Sequence, residues 1–202
     1  IKQFIHFSSL GVKDGTDSEY LQTKFRAENH IKNSLQNYVI IKPSVVFGPD
    51  DKFFNTFAKL ARIFPILPIV GCEVKFQPCY VGDIGDAINY IVETETLAKT
   101  YELAGPKKYT LYELIKFMLK EIRRKNVIIP LPFCIGKFQA FFMQLAPKPI
   151  LTIDQIKILE SGDNIITGEN NTFSDLSILP RSVESIVPTY LKYHRPAGQF
   201  TK

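Results

Sequence analysis

Apolar and polar side chains follow two different periods along the chain, and their order predicts an α/β protein. Residues 3–8 and 38–42 are short apolar runs bounded by polar residues or proline, a pattern typical of buried parallel strands. Between them, residues 18–35 carry Leu21, Phe25 and Ile31 near helical spacing, which predicts a helix. Because strands alternate with helices in this order, a parallel sheet is favoured.

Local signals place further elements along the chain. Thr110 with Glu113, and Thr152 with Gln155, have the spacing of a capping box at a helix start. We predict helices at residues 52–64, 83–94, 110–125, 152–159 and 183–193, strands at residues 101–103 and 127–131, and an extended segment at residues 73–80 broken by Pro78.

The predicted elements divide the chain into two parts. Residues 44–51 are predicted as a loop, and the polar, Asn-rich residues 161–171 as a linker. The strands concentrate before residue 106, so we place the sheet domain in residues 1–106. The more helical residues 107–202 would then form a smaller lobe that carries a substrate or a partner.

Composition narrows the class of partner only slightly. The net charge of +5 favours anionic surfaces in general but does not select nucleic acid, which we do not expect as a partner. The cysteines, Cys72, Cys79 and Cys134, are odd in number and form no CxxC motif, so we expect neither a metal site nor a disulfide framework. No apolar run reaches the roughly 18 to 20 residues that a transmembrane helix needs, so we expect no membrane span.

Tyr20 and Lys24 carry the candidate chemistry. They stand four residues apart in the first predicted helix, so both side chains project from one face. A phenol is a weak acid or base at neutral pH, but a neighbouring ammonium group stabilises the phenolate and lets the pair move a proton. Ser9, after the first strand, adds a hydroxyl that can hydrogen-bond a substrate oxygen. Alone, the pair also fits a half-buried tyrosine beside a solvated lysine.

The segments around this pair follow in an informative order. The strand FIHFSS precedes YLQTK, and the strand VIIKP precedes the loop SVVFGP. This order resembles the extended and atypical short-chain dehydrogenase/reductase families. The resemblance implies a Rossmann-like parallel sheet in which Ser9, Tyr20 and Lys24 are catalytic. It also implies that Tyr20 and Lys24 bind the cofactor, Lys24 at the nicotinamide ribose, with backbone contacts to the nicotinamide from Pro43, Ser44, Val45 and Val46.

Later segments extend this resemblance over nearly the whole chain. FQPCYVGDIGD, YELAGP and VPTYL are similar to segments of the bacterial relatives of the nucleotide-binding accessory subunit of respiratory complex I. Two features depart from the family pattern. The loop between Ser9 and Tyr20 is short, and the chain has no Gly-rich G-x-G-x-x-G turn to hold a pyrophosphate. We therefore expect an incomplete site for NAD or NADP, without the residue that would choose between them.

Three functions fit these observations. The first is an NAD(P)-binding accessory or assembly protein of the respiratory NADH dehydrogenase, located in the cytoplasm or peripherally at the inner membrane. The second is an active reductase, epimerase or dehydratase that uses Ser9, Tyr20 and Lys24. The third is a truncated fragment without activity of its own. The Phe-rich residues 133–142 suit docking at a membrane-bound partner, or alternatively form an ordinary core helix.

The first strand generates a prediction about the isolated chain. In a complete Rossmann-like sheet this strand has a neighbour on each edge, and here the chain opens almost directly into it. We expect another segment to supply the missing strands, and the isolated 202 residues to be poorly soluble or partly unfolded because an unpaired apolar edge promotes aggregation. Calorimetry and gel filtration test this. A cooperative transition of a monomer would contradict the expectation.

Overall fold

A computed structural model describes residues 2–145, 149–196 and 198, and it shows an α/β fold. The strands are β1 (Phe4–Phe7), β2 (Tyr38–Pro43), β3 (Val46–Phe47), β4 (Ile66–Val70), β5 (Lys75–Phe76), β6 (Cys79–Tyr80), β7 (Lys99–Leu103), β8 (Tyr109–Thr110) and β9 (Val127–Leu131). The α-helices are α1 (Glu19–Ser34), α2 (Phe53–Ile63), α3 (Val81–Glu93), α4 (Leu111–Glu121), α5 (Phe133–Met143), α6 (Ile153–Glu160) and α7 (Val183–Leu191), and 3-10 helices cover Phe173–Leu176 and Lys192–His194.

A three-stranded parallel sheet forms the centre of the first half. Its order is β1–β2–β7, with Ile5 opposite Val39 and Ile41 opposite Tyr101. Val39, Ile40 and Ile41 in the central strand are 0% exposed, so the strand is buried on both faces. This burial explains why its sequence is a continuous apolar run rather than an alternating one. The α/β class with a parallel sheet is confirmed.

Strand β1 lies at the edge of this sheet. Within the described ranges it pairs with β2 alone, and Phe4 and Phe7 are exposed. Its outer edge therefore carries backbone groups without a strand partner among the described residues.

Short strand pairs surround the main sheet. β3 pairs with β6 and β4 with β9 in parallel, while β5 pairs with β8 in antiparallel fashion. Two of these pairs, β4–β9 and β5–β8, join residues on opposite sides of position 106, the predicted domain boundary. The largest apolar core likewise combines residues from both sides, among them Phe54 of α2 and Met118 of α4. The division at residue 106 stays a prediction.

Several local predictions needed correction. Residues 44–51 are not loop throughout, because Val46 and Phe47 pair with Cys79 and Tyr80. Strand β4 was not anticipated, since Pro68 within it lacks an amide donor and reads as a strand breaker. Helix α4 ends at Glu121 rather than near 125, because Arg123 adopts a left-handed backbone with a φ of 54°. The predicted linker 161–171 is tied to the sheet through bridges at Asn164 and Asn171.

Two glycines test how tightly the sheet end is packed. The Gly105 amide donates to the Pro78 carbonyl at 3.1 Å, and a Cβ atom at Gly105 would collide with that same oxygen. We expect Gly105→Ala to lower the free energy of unfolding by about 1–3 kcal/mol, because backbone must move. Gly85 in α3 has open space at the Cβ position, so Gly85→Ala should raise the free energy of unfolding by about 0.5–1 kcal/mol. Urea denaturation measures both; equal effects of the two changes would contradict this packing.

Candidate functional site

The candidate site lies at the carboxyl edge of the three-stranded sheet. Beyond the strand ends, backbone hydrogen bonds continue from loop to loop. The amide of Ser8 donates to Ile41 at 2.8 Å, that of Leu10 to Pro43 at 2.9 Å, and that of Ser44 to Leu103 at 3.0 Å. The loops that follow β1, β2 and β7 are therefore held in register with one another. Ligands of open parallel sheets bind at this kind of edge.

Helix α1 brings Tyr20 and Lys24 to the end of β1. The Lys24 ammonium donates to the carbonyl oxygen of Phe7, the last residue of β1, at 2.7 Å. The same Nζ atom lies 5.8 Å from the centroid of the Tyr20 ring. The phenol is partly exposed, so it can meet a ligand. The helix thus brings the ammonium close to both the phenol ring and the end of the sheet.

Ser9 follows two residues after the end of β1. Its side chain is partly buried, and its hydroxyl donates to the Leu10 carbonyl at 3.1 Å. The hydroxyl oxygen retains its acceptor capacity. Ser9 and Lys24 thus both belong to the end of β1, one through the chain and one through a hydrogen bond. Their catalytic roles, and that of Tyr20, stay predictions.

The segment predicted to contact the nicotinamide is held on several sides. Pro43 closes β2, and its carbonyl accepts from Leu10; the Val45 carbonyl accepts from Cys79 at 2.9 Å. The Val45 amide donates to the Asn164 side chain at 3.0 Å, and Val46 enters β3. Because its backbone groups are engaged in this way, the segment forms a rigid wall. Its role in cofactor binding stays a prediction.

Asn164 is the residue that fastens this wall to the neighbouring loop. Its side-chain oxygen accepts from the Ser44 hydroxyl at 2.7 Å and from the Val45 amide, while its side-chain nitrogen donates to the Leu10 carbonyl at 3.2 Å. Its backbone amide donates to Lys75 at 2.7 Å. Sequence reasoning missed this role, because Asn164 is 120 residues from Ser44 in a stretch that resembled a polar linker.

Asp154 holds the start of the helix that carries Tyr20. Its carboxylate accepts from the Ser18 hydroxyl at 3.1 Å, the Glu19 amide at 2.8 Å and the Tyr20 amide at 3.3 Å. A carboxylate at a helix start satisfies free amides and interacts favourably with the helix dipole. Asp154 belongs to α6, whose own capping box of Thr152 and Gln155 was predicted and is confirmed. No local signal indicated that α6 would cap α1.

A buried ionic cluster lies beneath the site. The Ser8 hydroxyl donates to the carboxylate of Glu28, and the Lys42 ammonium lies 3.4 Å from the same carboxylate. Lys42 also donates to the Val12 carbonyl at 3.4 Å. A buried carboxylate is costly unless it is paired and hydrogen-bonded, and Glu28 is both. The cluster links α1 to both β1 and β2.

His6 lies on β1 between these charges. Burial and, after it, the positive charge of Lys24 lower the pKa of its imidazole, and the opposing effect of Glu28 is smaller. Its Nε2 atom is buried without a hydrogen-bond partner in the described ranges. The imidazole is therefore neutral at physiological pH, and the cationic groups near the end of β1 are Lys24 and Lys42.

Glu102 orders the loop behind the site. Its buried carboxylate accepts from the Thr167 amide at 2.6 Å, the Thr167 hydroxyl at 2.8 Å and the Asn170 side chain at 2.9 Å. Burial alone would raise the pKa of Glu102, but the hydrogen bonds from Asn170 and Thr167 outweigh it and hold the pKa below its ordinary value. The ionised form therefore stabilises the fold above the ordinary glutamate pKa, and this stability is lost as pH falls through the lower folded value.

The remaining candidates for chemistry are sparse. Among the residues that the structure describes, no group of three or more His, Cys, Asp or Glu side chains could hold a metal ion. The three cysteines are free; Cys72 and Cys79 are buried and Cys134 is exposed. Burial raises the pKa of the Cys79 thiol, so it is a poor nucleophile. The described helices include none with the length and apolar character that crossing a membrane requires.

Comparison with known proteins gives concordant matches. Residues 13–147 match the family described as the RmlD substrate binding domain. The chain is 30% identical over 98% of its length to NADH dehydrogenase (ubiquinone) 1 alpha subcomplex subunit 9, mitochondrial, of Arabidopsis thaliana. It is 31% identical over 96% of its length to the mitochondrial NADH-ubiquinone oxidoreductase 40 kDa subunit of Neurospora crassa. The chain spans about half of these relatives, 52% of each.

A solved structure supports the fold. The dTDP-glucose 4,6-dehydratase DesIV of Streptomyces venezuelae, solved with NAD and TYD bound, superposes with a TM-score of 0.64 at 13% identity. The superposition covers 94% of this chain and 59% of that one. This likeness confirms the Rossmann-like fold that the sequence predicted.

Asn164 generates a prediction for this site. Asn164→Ala removes three side-chain hydrogen bonds at once, which leaves the Val45 amide without its partner and the Leu10 carbonyl with the Ser9 hydroxyl alone among the side chains that the structure describes. We expect the free energy of unfolding to fall by about 1–3 kcal/mol in urea denaturation. Asn33→Ala, on the exposed side of α1, is the matched control and should stay within about 0.5 kcal/mol of wild type. Equal effects at the two positions would show that Asn164 does not fasten the loops.

Proposed function

Since the chain belongs to the RmlD substrate binding domain family and is an atypical short-chain dehydrogenase/reductase relative, we propose that it forms the nicotinamide side of a dinucleotide-binding accessory subunit of a respiratory NADH dehydrogenase. The observation that carries this proposal is the likeness to subunits of that oxidoreductase over 96% to 98% of the chain. The relatives are about twice as long, so we further propose that residues outside this chain hold the pyrophosphate.

The groups at the sheet edge fit the nicotinamide end of NAD or NADP. Lys24 has three ammonium donors, and the Phe7 carbonyl takes one, which leaves two for the hydroxyls of a ribose. Tyr20 and Ser9 add hydroxyls, and the wall from Pro43 to Val46 supplies a rigid surface for the nicotinamide ring. The wall is held by Asn164, so its position is set before any ligand binds.

An active reductase or epimerase is a second candidate. The observation that favours it is that the Lys24 ammonium lies 5.8 Å from the Tyr20 ring centroid, so one helix presents both groups at the end of β1. In this proposal Lys24 would hold the ribose of a reduced nicotinamide, which would supply a hydride to the carbonyl carbon of a substrate. Tyr20 donates a proton to the carbonyl oxygen of the substrate from its hydroxyl, and Ser9 hydrogen-bonds the same oxygen. The presence of Ser9, Tyr20 and Lys24 alone does not favour an enzyme over the accessory role. The accessory role is favoured because the relatives are named as subunits of the oxidoreductase.

The same proposal implies partners and location. An accessory subunit contacts other subunits of the oxidoreductase, so we propose that the chain sits at the inner membrane as a peripheral component. The cytoplasm is the alternative location. The net charge of +5 is compatible with contact to an anionic membrane surface.

The dinucleotide part of the proposal is tested with Lys24. In the intact protein that contains this chain, Lys24→Met should weaken NAD or NADP binding by about tenfold to a hundredfold, because hydrogen bonds from a charged group are lost. Lys116→Met, on the exposed surface of α4, is the matched control and should bind as wild type does. Isothermal calorimetry gives the affinities. Unchanged binding by the Lys24 variant would exclude it from the site.

The partner part is tested separately. The tagged intact protein should migrate with the respiratory NADH dehydrogenase on native gels of solubilised membranes. Two results together would contradict the accessory role and support the enzymatic one. The protein would migrate without the oxidoreductase, and it would reduce a carbonyl substrate in a reaction that Tyr20→Phe abolishes.

A further inference from the structure

Helix α5 is packed with its small residues inward and its large apolar residues outward. Gly136 and Ala140 are its buried positions, and a Cβ atom at Gly136 would lie 2.5 Å from the Val70 side chain. Phe138, Phe141 and Phe142 are each more than half exposed, with Phe138 the most at 68%. A soluble surface helix normally shows the opposite arrangement. The alternative that residues 133–142 form an ordinary core helix is therefore wrong.

The two-stranded ribbon β4–β9, against which α5 packs through Val70, also exposes apolar side chains. Val70, which contacts α5, lies on one face of β4, and alternation places Ile66 on that face too. Across the ribbon, Ile66 pairs with Val127, and Ile129 follows on the same face. Ile66, Val127 and Ile129 are exposed. Helix α5 thus covers one end of this face and leaves the other end open. We call the six exposed residues the outer face: Ile66, Val127, Ile129, Phe138, Phe141 and Phe142.

The segments that build the outer face carry positive charge. Residues 52–72 and 122–153 contain no aspartate or glutamate, although the whole chain has 20 acidic residues. Arg62, in the last turn of α2, and Lys125, two residues before β9, are exposed. Lys137 on α5 is paired at 2.8 Å with Glu160 of α6. The surface therefore combines exposed aromatic side chains with an excess of basic ones.

We propose that the outer face binds the surface of an anionic phospholipid bilayer. Exposed phenylalanines and branched aliphatic side chains bury apolar area at the boundary between headgroups and acyl chains, and nearby basic residues attract anionic headgroups. The basic surroundings favour this occupant over a second copy of the chain, whose outer face would carry the same charge. The inference extends the peripheral location proposed above, but it does not depend on dinucleotide binding.

Difference fluorescence between each tryptophan variant and the unmodified intact protein tests this proposal, because residues 1–202 contain no tryptophan of their own. Phe138→Trp places a single reporter on the outer face. Leu179→Trp is the matched control. Leu179 is 92% exposed and lies between the 3-10 helix Phe173–Leu176 and α7. With vesicles containing phosphatidylglycerol, the emission of the Phe138→Trp chain should shift to shorter wavelength and be quenched by brominated acyl chains. The Leu179→Trp emission should not change.

Charge variants separate a lipid surface from other occupants. Arg62→Gln with Lys125→Gln should weaken vesicle binding in flotation by about fivefold for each charge removed. Lys99→Gln with Lys116→Gln, exposed lysines on β7 and α4, serves as the control and should not weaken it. Equal binding to neutral and anionic vesicles, absence of bromolipid quenching, or a spectral shift that follows protein concentration without lipid would each overturn the proposal. The last result would assign the face to self-association.

Discussion

The side chain of Asn164 is the contact on which the candidate site depends. It accepts from Ser44 and Val45 after β2 and donates to Leu10 after β1, so one amide group spans both loops. An amide in a partly buried position is stable only where its donors and acceptors are matched, and this requirement fixes the spacing of the two loops. The predicted nicotinamide wall and the loop that begins with Ser9 therefore form one rigid unit.

Electrostatics then set the character of this unit. Glu28 neutralises Lys42 below the sheet edge, and burial keeps His6 uncharged. The charge that remains directed toward the edge is the ammonium of Lys24, which the Phe7 carbonyl holds in place. A site built in this way presents the ammonium of Lys24 beside a phenol, and the remaining ammonium donors suit a ligand with several hydroxyl groups.

The sequence predicted those features that depend on nearby residues. The strands β1, β2 and β9 and the capping boxes of Thr110 and Thr152 all have signals within a few residues, and the structure confirms them. Asn164 and Asp154 act on residues more than 100 positions away, and nothing around them in sequence marks that role. Strand β4 escaped detection for a related reason: its pairing with β9, rather than its own composition, makes it a strand.

The cap that Asp154 provides to α1 has a consequence for the order of events during synthesis. The carboxylate is 134 residues later in the chain than the Tyr20 amide that it binds. At translation rates of roughly 5–20 residues per second, helix α1 exists for roughly 7–27 seconds before its cap has been made. Until then the first turn is satisfied only by Ser18 and water, so the Tyr20 end of the helix becomes fully ordered only after α6 has been made.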